Sequence, residues 1–432
     1  MKFPTGGKSP RLPGQQGLNR WNSGTDGKVR MEEGDLYSGG CVVHRRSCPE
    51  YNMCRGIFVM WSDKDISYMK MALSLAERGA GHVSPNPMVG AVIVKDGKVI
   101  ASGWHRAYGG LHAEREALSV CSEDPAGATM YVTLEPCCHY GKQPPCTSAI
   151  INAGISRVVV AMEDPNPLVG GKGVSILREH GIEVETGLME QESRYLNRIF
   201  IRFITEHRPW TVLKCAMTLD GKIASSAGDS RWVSCEASRH LVHELRGRHM
   251  GIMAGIGTVL ADNPMLNCRI DGLRQPVRII VDSHASLPED SAIVASAGQY
   301  RTVLAHTSGV QSEKMESLCR HGVESLECAT GSDGMVDMGD LLSGLGKMGI
   351  SSVLVEGGAE INWSLIRNGL ADEYYFFLAP KIIGGRAAKG PVGGNGFEKM
   401  ADAAGVSIES VSRCGADWLV HAFKDRALCL QE

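Results

Sequence analysis

Long apolar runs are missing from this sequence of 432 residues. No stretch reaches about 18 consecutive apolar residues, the length from which a membrane-spanning helix is read, so we expect no membrane partner. No secretory or transit peptide is recognisable, and the 14 cysteines follow no repeating spacing. We therefore expect a cytoplasmic protein whose cysteines are reduced, not a scaffold held together by disulfides.

A strong charge of either sign is also absent. The formal net charge is −3, and aromatic residues make up only 6% of the chain. Proteins that bind RNA or DNA usually carry a basic patch, often with interleaved aromatic residues, so we expect no nucleic-acid partner. The hydrophobic fraction of 43% and the charged fraction of 22% are those of an ordinary globular protein. The length suits two or three domains.

The residue types that bind zinc occur between residues 112 and 146. The stretch opens with His112 and Glu114, separated by one alanine, and contains Cys137 and Cys146 in a segment rich in proline and glycine. A catalytic zinc ion takes three protein ligands and keeps a fourth position for water. We predict that His112, Cys137 and Cys146 are the ligands and that Glu114 is the proton shuttle. The pattern is similar to the H-x-E and P-C-x-x-C signature of zinc deaminases, with the second half lengthened to C-x8-C.

Two other interpretations of this stretch remain open. The histidine and the cysteines could be ordinary core residues, although such dense proline and glycine is atypical of a packed strand or helix. Alternatively, the zinc could be purely structural. It would then need a fourth ligand, which Cys138 or His139 could provide.

The segment around the cysteines resembles one enzyme family. Residues 133–137, Thr-Leu-Glu-Pro-Cys, followed by His139, Gly141 and the Pro-Pro-Cys of residues 144–146, are similar to the bifunctional deaminase/reductase of riboflavin biosynthesis. The resemblance covers residues 61–207 and implies a zinc-dependent deaminase domain. It also implies that three residues hold the base and the phosphate of the substrate: Asn86, His105 and Lys142.

Residues 61–207 show the alternation of strands and helices that such a domain needs. Helical spacing begins near Asp63, and the Asp96-Gly97 pair predicts a β-hairpin. The order of elements predicts an α/β fold: a cytidine-deaminase-like three-layer α/β/α sandwich with a mixed sheet, with the site at the strand ends. Residues 1–60 show almost no apolar periodicity, so we expect a disordered extension there. We interpret residues 197–207 as a short connector.

The motifs of residues 208–432 resemble the reductase domain of the same family. They are Met217 to Ala224, Gly257 to Arg269 and Val355 to Gly358. The resemblance implies a dihydrofolate-reductase-like α/β domain that uses NADPH. No G-x-G-x-x-G follows a strand, but Gly357 and Gly358 between a strand and a helix could receive a diphosphate at the helix N-terminus.

The resemblance assigns two groups of residues in this domain. We interpret Lys214 and Asp262 as alternative proton donors. Positions that contact the ribosyl phosphate substrate match Ser230, Arg246, Leu266, Arg269 and Glu356. Cofactor positions match Ala216, Trp232, Thr258, Asp262, Ser283, Gly358, Ala359, Glu360, Ile361, Asn362, Trp363 and Ser364.

Together these features predict a bifunctional enzyme with Zn2+ and NADPH as cofactors. We expect deamination of a diaminopyrimidinone that carries a phosphoribosylamino arm, followed by reduction of that arm to a ribityl chain. The family resemblance implies a homo-oligomer, with the apolar run Tyr374 to Leu378 either near the contact or in a core strand. The alternative is a nucleic-acid or nucleoside deaminase fused to a reductase-like binding domain.

Overall fold

The computed structural model describes residues 61–141, 143–166 and 169–425. The predicted disorder of residues 1–60 and the predicted substrate contact of Lys142 lie outside the described residues. The described part forms two β-sheets with helices packed against them, and the α/β fold class predicted for both halves is confirmed. None of the described helices has both the length and the apolar character needed to cross a membrane.

The first sheet has five strands in the order β2-β1-β3-β4-β5. Strand β1 pairs antiparallel with both of its neighbours, whereas β3, β4 and β5 run parallel. The predicted hairpin is confirmed, with Asp96 and Gly97 at positive φ (53° and 77°) in the two-residue turn. The strands are β1 (Gly90–Lys95), β2 (Lys98–Trp104), β3 (Thr129–Leu134), β4 (Arg157–Met162) and β5 (Glu183–Thr186).

Helices cover both faces of this sheet, as the three-layer prediction requires. The alternation of strand side chains sends Val92 and Val159 to one face, where they pack with Met69 of helix α1. Ile93 and Val160 point to the other face and pack with residues of four further helices. The helices of this half are α1 (Asp63–Glu77), α2 (Ala113–Ser119), α3 (Cys146–Asn152) and α4 (Lys172–Glu179).

The segment interpreted as a short connector, residues 197–207, is mostly helical. Helices α5 (Glu190–Leu196) and α6 (Arg198–Glu206) occupy residues 190–206. The polar side chains of α6 face carboxylates far away in the chain: Arg198 donates to the buried Glu373, and Arg202 pairs with the buried Asp372. Those partners are 170 or more residues away, and a local pattern does not reveal them.

The second sheet has nine strands in the order β10-β9-β8-β7-β11-β6-β12-β14-β13. Its strands are parallel from β10 to β12, and β14 and β13 are antiparallel. The strands are β6 (Trp210–Thr218), β7 (Gly251–Gly255), β8 (Val277–Val281), β9 (Thr302–Thr307), β10 (Val323–Cys328), β11 (Ser352–Val355), β12 (Glu373–Ala379), β13 (Val406–Cys414) and β14 (Asp417–Lys424).

Two features of this half bear on the predicted residues. The apolar run Tyr374 to Leu378 lies in β12, between β6 and β14, so it is a strand inside the sheet. Residues 236–248, which include Arg246, form helix α7 (Glu236–Arg248). The other helices are α8 (Ile256–Asp262), α9 (Ala292–Ala295), α10 (Ser312–Arg320), α11 (Met338–Lys347) and α12 (Ala359–Arg367).

Candidate functional site

The structure brings the three predicted zinc ligands together at the ends of three elements. His112 is the residue before α2, Cys137 follows β3, and Cys146 begins α3. His112 Nδ1 lies 3.4 Å from Cys137 Sγ and 3.4 Å from Cys146 Sγ. The donor atoms of all three residues lie within 4.8 Å of one another.

This arrangement fits a tetrahedral zinc ion. Zn–N and Zn–S bonds of about 2.1 and 2.3 Å place the nitrogen and a sulfur about 3.6 Å apart at the tetrahedral angle, close to the distances found here. Hydrogen bonding with Cys146 and His112 lowers the pKa of the Cys137 thiol to about 4, which favours the thiolate that a metal binds.

The donor count favours a site with an open position. Within residues 61–141, 143–166 and 169–425, the cluster contains three donors, and neither Cys138 nor His139 belongs to it. Those were the residues considered as the fourth ligand of a structural zinc. Three ligands and an open position are typical of catalytic zinc.

Glu114 lies beside the ligands without being one of them. It follows His112 by two residues in the first turn of α2, and it is only 3% exposed. Burial, together with the nearby Cys137 thiolate, raises the pKa of Glu114 to about 7. A carboxyl group next to the open position of a metal is placed to accept and return a proton.

A cavity of about 300 Å³ opens in front of the ligands and Glu114. Asn86 and His105, both predicted to contact the substrate, line its wall. His105 Nδ1 lies 2.8 Å from the carbonyl of Leu111, to which it donates, so the other ring nitrogen accepts from the Asn86 amide at 3.2 Å. Burial lowers the pKa of His105, which agrees with a neutral ring. The network leaves the Asn86 oxygen for a ligand to use.

Several lining residues were missed by sequence reasoning. Asp164 and Asn166 follow β4, whose carboxyl end lies beside that of β3, and this rule of parallel sheets could have indicated them. Phe200 and Ile204 come from α6, the helix that was interpreted as a connector. Glu135, also a lining residue, is buried between Leu134 of β3 and the zinc-binding loop.

The second cluster of predicted residues lies where β7 and β11 end, beside the middle of β6. Glu356, just after β11, accepts two hydrogen bonds from Arg246 of α7, at 2.6 and 2.9 Å. Lys214 of β6 lies 3.7 Å from the same carboxylate. Burial alone would raise the pKa of Glu356, but Arg246 and Lys214 hold it below its usual value. The charged residues of the site therefore stabilise one another.

The remaining residues predicted to contact the substrate differ in which of their groups are accessible. The Leu266 side chain is 3% exposed and packs in the core, so only its main chain is available. Arg269 is exposed. The pKa of His243 in α7 is lowered mainly by burial, and the nearby positive charges of Arg246 and Arg269 lower it further. Ser230 lies in the loop that leads to α7.

The predicted cofactor positions are brought together in part. A Cβ on Gly357 would lie 2.9 Å from Thr258 Oγ1, so the chain passes close to α8 where α12 begins, and Gly358 also has positive φ (93°). Asp262 is at the end of α8, and its carbonyl accepts from Arg231, the neighbour of the exposed Trp232. Ala216 lies on β6, two residues beyond Lys214.

Other members of the predicted cofactor set make contacts inside the protein. Ser283 is buried, and its hydroxyl accepts from Val336 N at 3.0 Å. Ile361 and Asn362 are buried, and Asn362 donates to the carbonyl of Pro391. Two other side chains of α12 contact the Gly-rich segment after β12: Glu360 accepts from Gly394 N, and Trp363 packs on Phe397. The part of α12 that a diphosphate could reach is its first turn, including the main chain of Gly358 and Ala359.

Comparison with known proteins agrees with this division. Residues 62–162 match the family model of the cytidine and deoxycytidylate deaminase zinc-binding region, and residues 209–420 match that of the RibD C-terminal domain. The riboflavin biosynthesis protein RibD of Actinobacillus pleuropneumoniae is 45% identical over 356 residues, which cover 82% of this chain and 94% of that protein. The one from Bacillus amyloliquefaciens is 42% identical over 351 residues, covering 81% and 94%.

Solved structures give the same result. Form 1 of Acinetobacter baumannii RibD superposes with a TM-score of 0.76 at 36% identity, covering 84% of this chain and 99% of that one. A diaminohydroxyphosphoribosylaminopyrimidine deaminase/5-amino-6-(5-phosphoribosylamino)uracil reductase from Thermotoga maritima gives 0.74 at 38% identity, with the same coverage.

The fold, the site and the comparisons together define the class of protein: a deaminase with a zinc-binding region, followed in the same chain by a reductase domain. The chain belongs to the RibD family and is a bifunctional deaminase/reductase of riboflavin biosynthesis. The relatives match across both halves, which argues against the alternative of a nucleic-acid or nucleoside deaminase.

Proposed function

We propose that this chain catalyses two consecutive reactions on one phosphoribosylated pyrimidine. The first is hydrolytic deamination of 2,5-diamino-6-(5-phosphoribosylamino)pyrimidin-4(3H)-one by residues 61–207. The second is NADPH-dependent reduction of the ribosyl arm of 5-amino-6-(5-phosphoribosylamino)uracil by residues 208–432. The observation that carries the proposal is the cluster of three zinc donors beside a buried Glu114, in a chain that also matches the RibD C-terminal domain.

In the deaminase half, His112, Cys137 and Cys146 would hold the zinc ion. When bound, zinc would lower the pKa of a water molecule in its open position and polarise it. Glu114 accepts a proton from the attacking water and returns it to the amino group, which leaves as ammonia. Asn86 and His105 hold the edge of the base, since their network fixes a neutral imidazole and an amide toward the cavity.

In the reductase half, the first turn of α12 and Thr258 would receive NADPH, because the Gly357-Gly358 main chain passes α8 without a side chain between them. NADPH would supply the hydride for the anomeric carbon of the ribose in its open, imine-like form. Lys214 donates the proton that opens the ring or activates the imine. The exposed Arg269 binds the substrate phosphate, a role that suits a forked, permanently charged donor.

The order of the two reactions can be tested directly. The zinc-loaded chain is incubated with the diaminopyrimidinone ribosyl phosphate, first without NADPH and then with it. We expect ammonia release in the first stage and NADPH oxidation in the second, at a rate that depends on prior deamination. Ammonia without later NADPH oxidation would refute the reductase assignment, and zinc binding without ammonia would refute the deaminase assignment.

Arg269 gives a more specific test of the reductase site. Arg246 is already paired in two hydrogen bonds with Glu356, whereas Arg269 is exposed, so we assign the phosphate contact chiefly to Arg269. Replacing Arg269 with Ala should raise the KM for the phosphorylated substrate about tenfold or more, and the KM for NADPH less than about threefold. Steady-state kinetics with each substrate varied in turn measures both values. Equal increases would contradict phosphate binding by Arg269, and Arg320→Ala, on the remote helix α10, is the matched control.

A further inference from the structure

A carboxylate that the mechanism does not use connects the zinc-binding loop to the opposite wall of the deaminase cavity. Glu135 follows β3 directly, lies two residues before the zinc ligand Cys137, and is 4% exposed. The wall it meets contains Asp164, Asn166 and Val169, all of which line the cavity.

The carboxylate of Glu135 accepts three hydrogen bonds from main-chain N–H groups of that wall and the following helix. Its Oε2 atom accepts from Asp164 N at 3.0 Å and from Gly171 N at 2.9 Å. Its Oε1 atom accepts from Val174 N, in the first turn of α4, at 3.1 Å. Hydrogen bonds to an ionised carboxylate are stronger than those between neutral groups, especially in a buried position.

The wall has an internal structure whose two ends both meet Glu135. Asp164 accepts from Asn166 N at 2.9 Å, and the Asn166 carbonyl accepts from Val169 N and Gly170 N at 2.9 and 2.8 Å. These bonds set the shape of the turn. The Glu135 bonds at Asp164 and Gly171 set where the turn lies relative to the zinc ligands.

The first turn of α4 packs tightly against the zinc loop at Gly173. A Cβ added to Gly173 would lie 2.2 Å from the carbonyl oxygen of Pro136 and 3.1 Å from Glu135 Oε1. The main chain of α4 and that of the zinc loop therefore lie close together beside the Glu135 carboxylate.

We propose that Glu135 is a positioning residue of the deaminase, which holds the Asp164–Asn166 wall at the distance from the zinc site that the pyrimidine base requires. The proposal rests on the deaminase function proposed above. Glu135 touches neither the metal nor the reacting atoms, so its removal should weaken substrate binding more than it slows the chemical step. The reductase half, which shares no part of this contact, should not respond.

The test is Glu135→Gln, which keeps the size of the side chain. An NH2 group would then replace one of the two carboxylate oxygens of Glu135. Because NH2 cannot accept a hydrogen bond, the variant would lose either the single bond to Oε1 or the pair of bonds to Oε2. We expect the KM for the diaminopyrimidinone substrate to rise about tenfold, with kcat reduced less than about threefold, because the loss of one or two charge-assisted bonds is of that size. Zinc content and the reductase rate with the deaminated substrate should equal those of the wild-type chain.

Asp65→Asn is the matched control. Asp65 is a partly buried residue of the same half whose carboxylate accepts hydrogen bonds from Ser62 N, Tyr131 and Arg157, away from the cavity. It should lower the melting temperature and leave the KM unchanged. If the Gln variant does not fold, Glu135→Asp, which withdraws the carboxylate by one methylene, should show the same KM effect at smaller size.

Three results would overturn the proposal while wild-type deamination is intact: an unchanged KM in the Glu135 variants, the same KM increase in Asp65→Asn, or loss of zinc in Glu135→Gln. Absence of deamination by the wild-type chain would instead refute the proposed function itself. The two failures are therefore distinguishable.

Discussion

Replacing Glu114 with Gln should reduce deamination by about 10²- to 10⁴-fold, the usual contribution of a positioned acid and base. The amide has nearly the size of the carboxyl group but cannot take a proton from the attacking water. Because Glu114 is outside the donor cluster, the variant should bind as much zinc as the wild-type chain. Ammonia release, zinc content and the reductase rate are measured on the same preparation.

Glu116 provides the control for this variant. It lies two residues beyond Glu114 in α2. Its carboxylate accepts a hydrogen bond from Arg106 at 2.7 Å, and it does not line the cavity. Glu116→Gln should therefore deaminate at close to the wild-type rate. Unchanged activity in Glu114→Gln would remove Glu114 from the mechanism, and equal losses in both variants would indicate a general effect on α2.

The second large effect is expected at Lys214. Lys214→Met should lower the reductase kcat by about 10²- to 10⁴-fold, since methionine has a similar length but no proton to give. The residue is 17% exposed in its side chain, lies in the middle of strand β6, and is 3.7 Å from Glu356. Arg246 still pairs with Glu356 in this variant, so the site should remain folded.

Asp262 distinguishes the two proton donors that the sequence left open. Its side chain is exposed at the end of α8, so Asp262→Asn should change kcat less than about tenfold. Both variants are assayed with the deaminated substrate and NADPH, and deamination by the same chains reports that the other half is intact. A larger loss in Asp262→Asn than in Lys214→Met would transfer the donor role to Asp262.

The local sequence was sufficient to predict those features that depend only on neighbouring residues or on the residue types present. The Asp96-Gly97 pair predicted the hairpin, because these residue types tolerate the positive φ that its turn requires, and the apolar spacing of residues 63–77 predicted α1. The histidine and cysteine types, with a carboxylate two residues beyond the histidine, predicted the zinc cluster before any distance was known. In each of these cases, the structural or chemical feature depends on one residue or on one short segment of the chain.

Long-range partners were not predictable in the same way. The segment of helix α6 was interpreted as a connector, and the sequence did not reveal the partners of its arginines: Glu373, the first residue of β12, and Asp372, just before it. Arg246 was assigned to a phosphate, and the structure shows its guanidinium engaged by Glu356. A charged residue looks the same in a sequence whether water or a buried carboxylate receives it.

By itself, the sequence determined the class of chemistry: which residues can bind zinc, which carboxylate can move a proton, and which family the motifs resemble. Only the tertiary structure decided how many donors meet at the metal site, which wall faces it, and which charges are already paired. The reason is geometric. Parallel strands bring together the ends of segments that are far apart in the chain, and hydrogen bonds of about 3 Å form only where those ends meet.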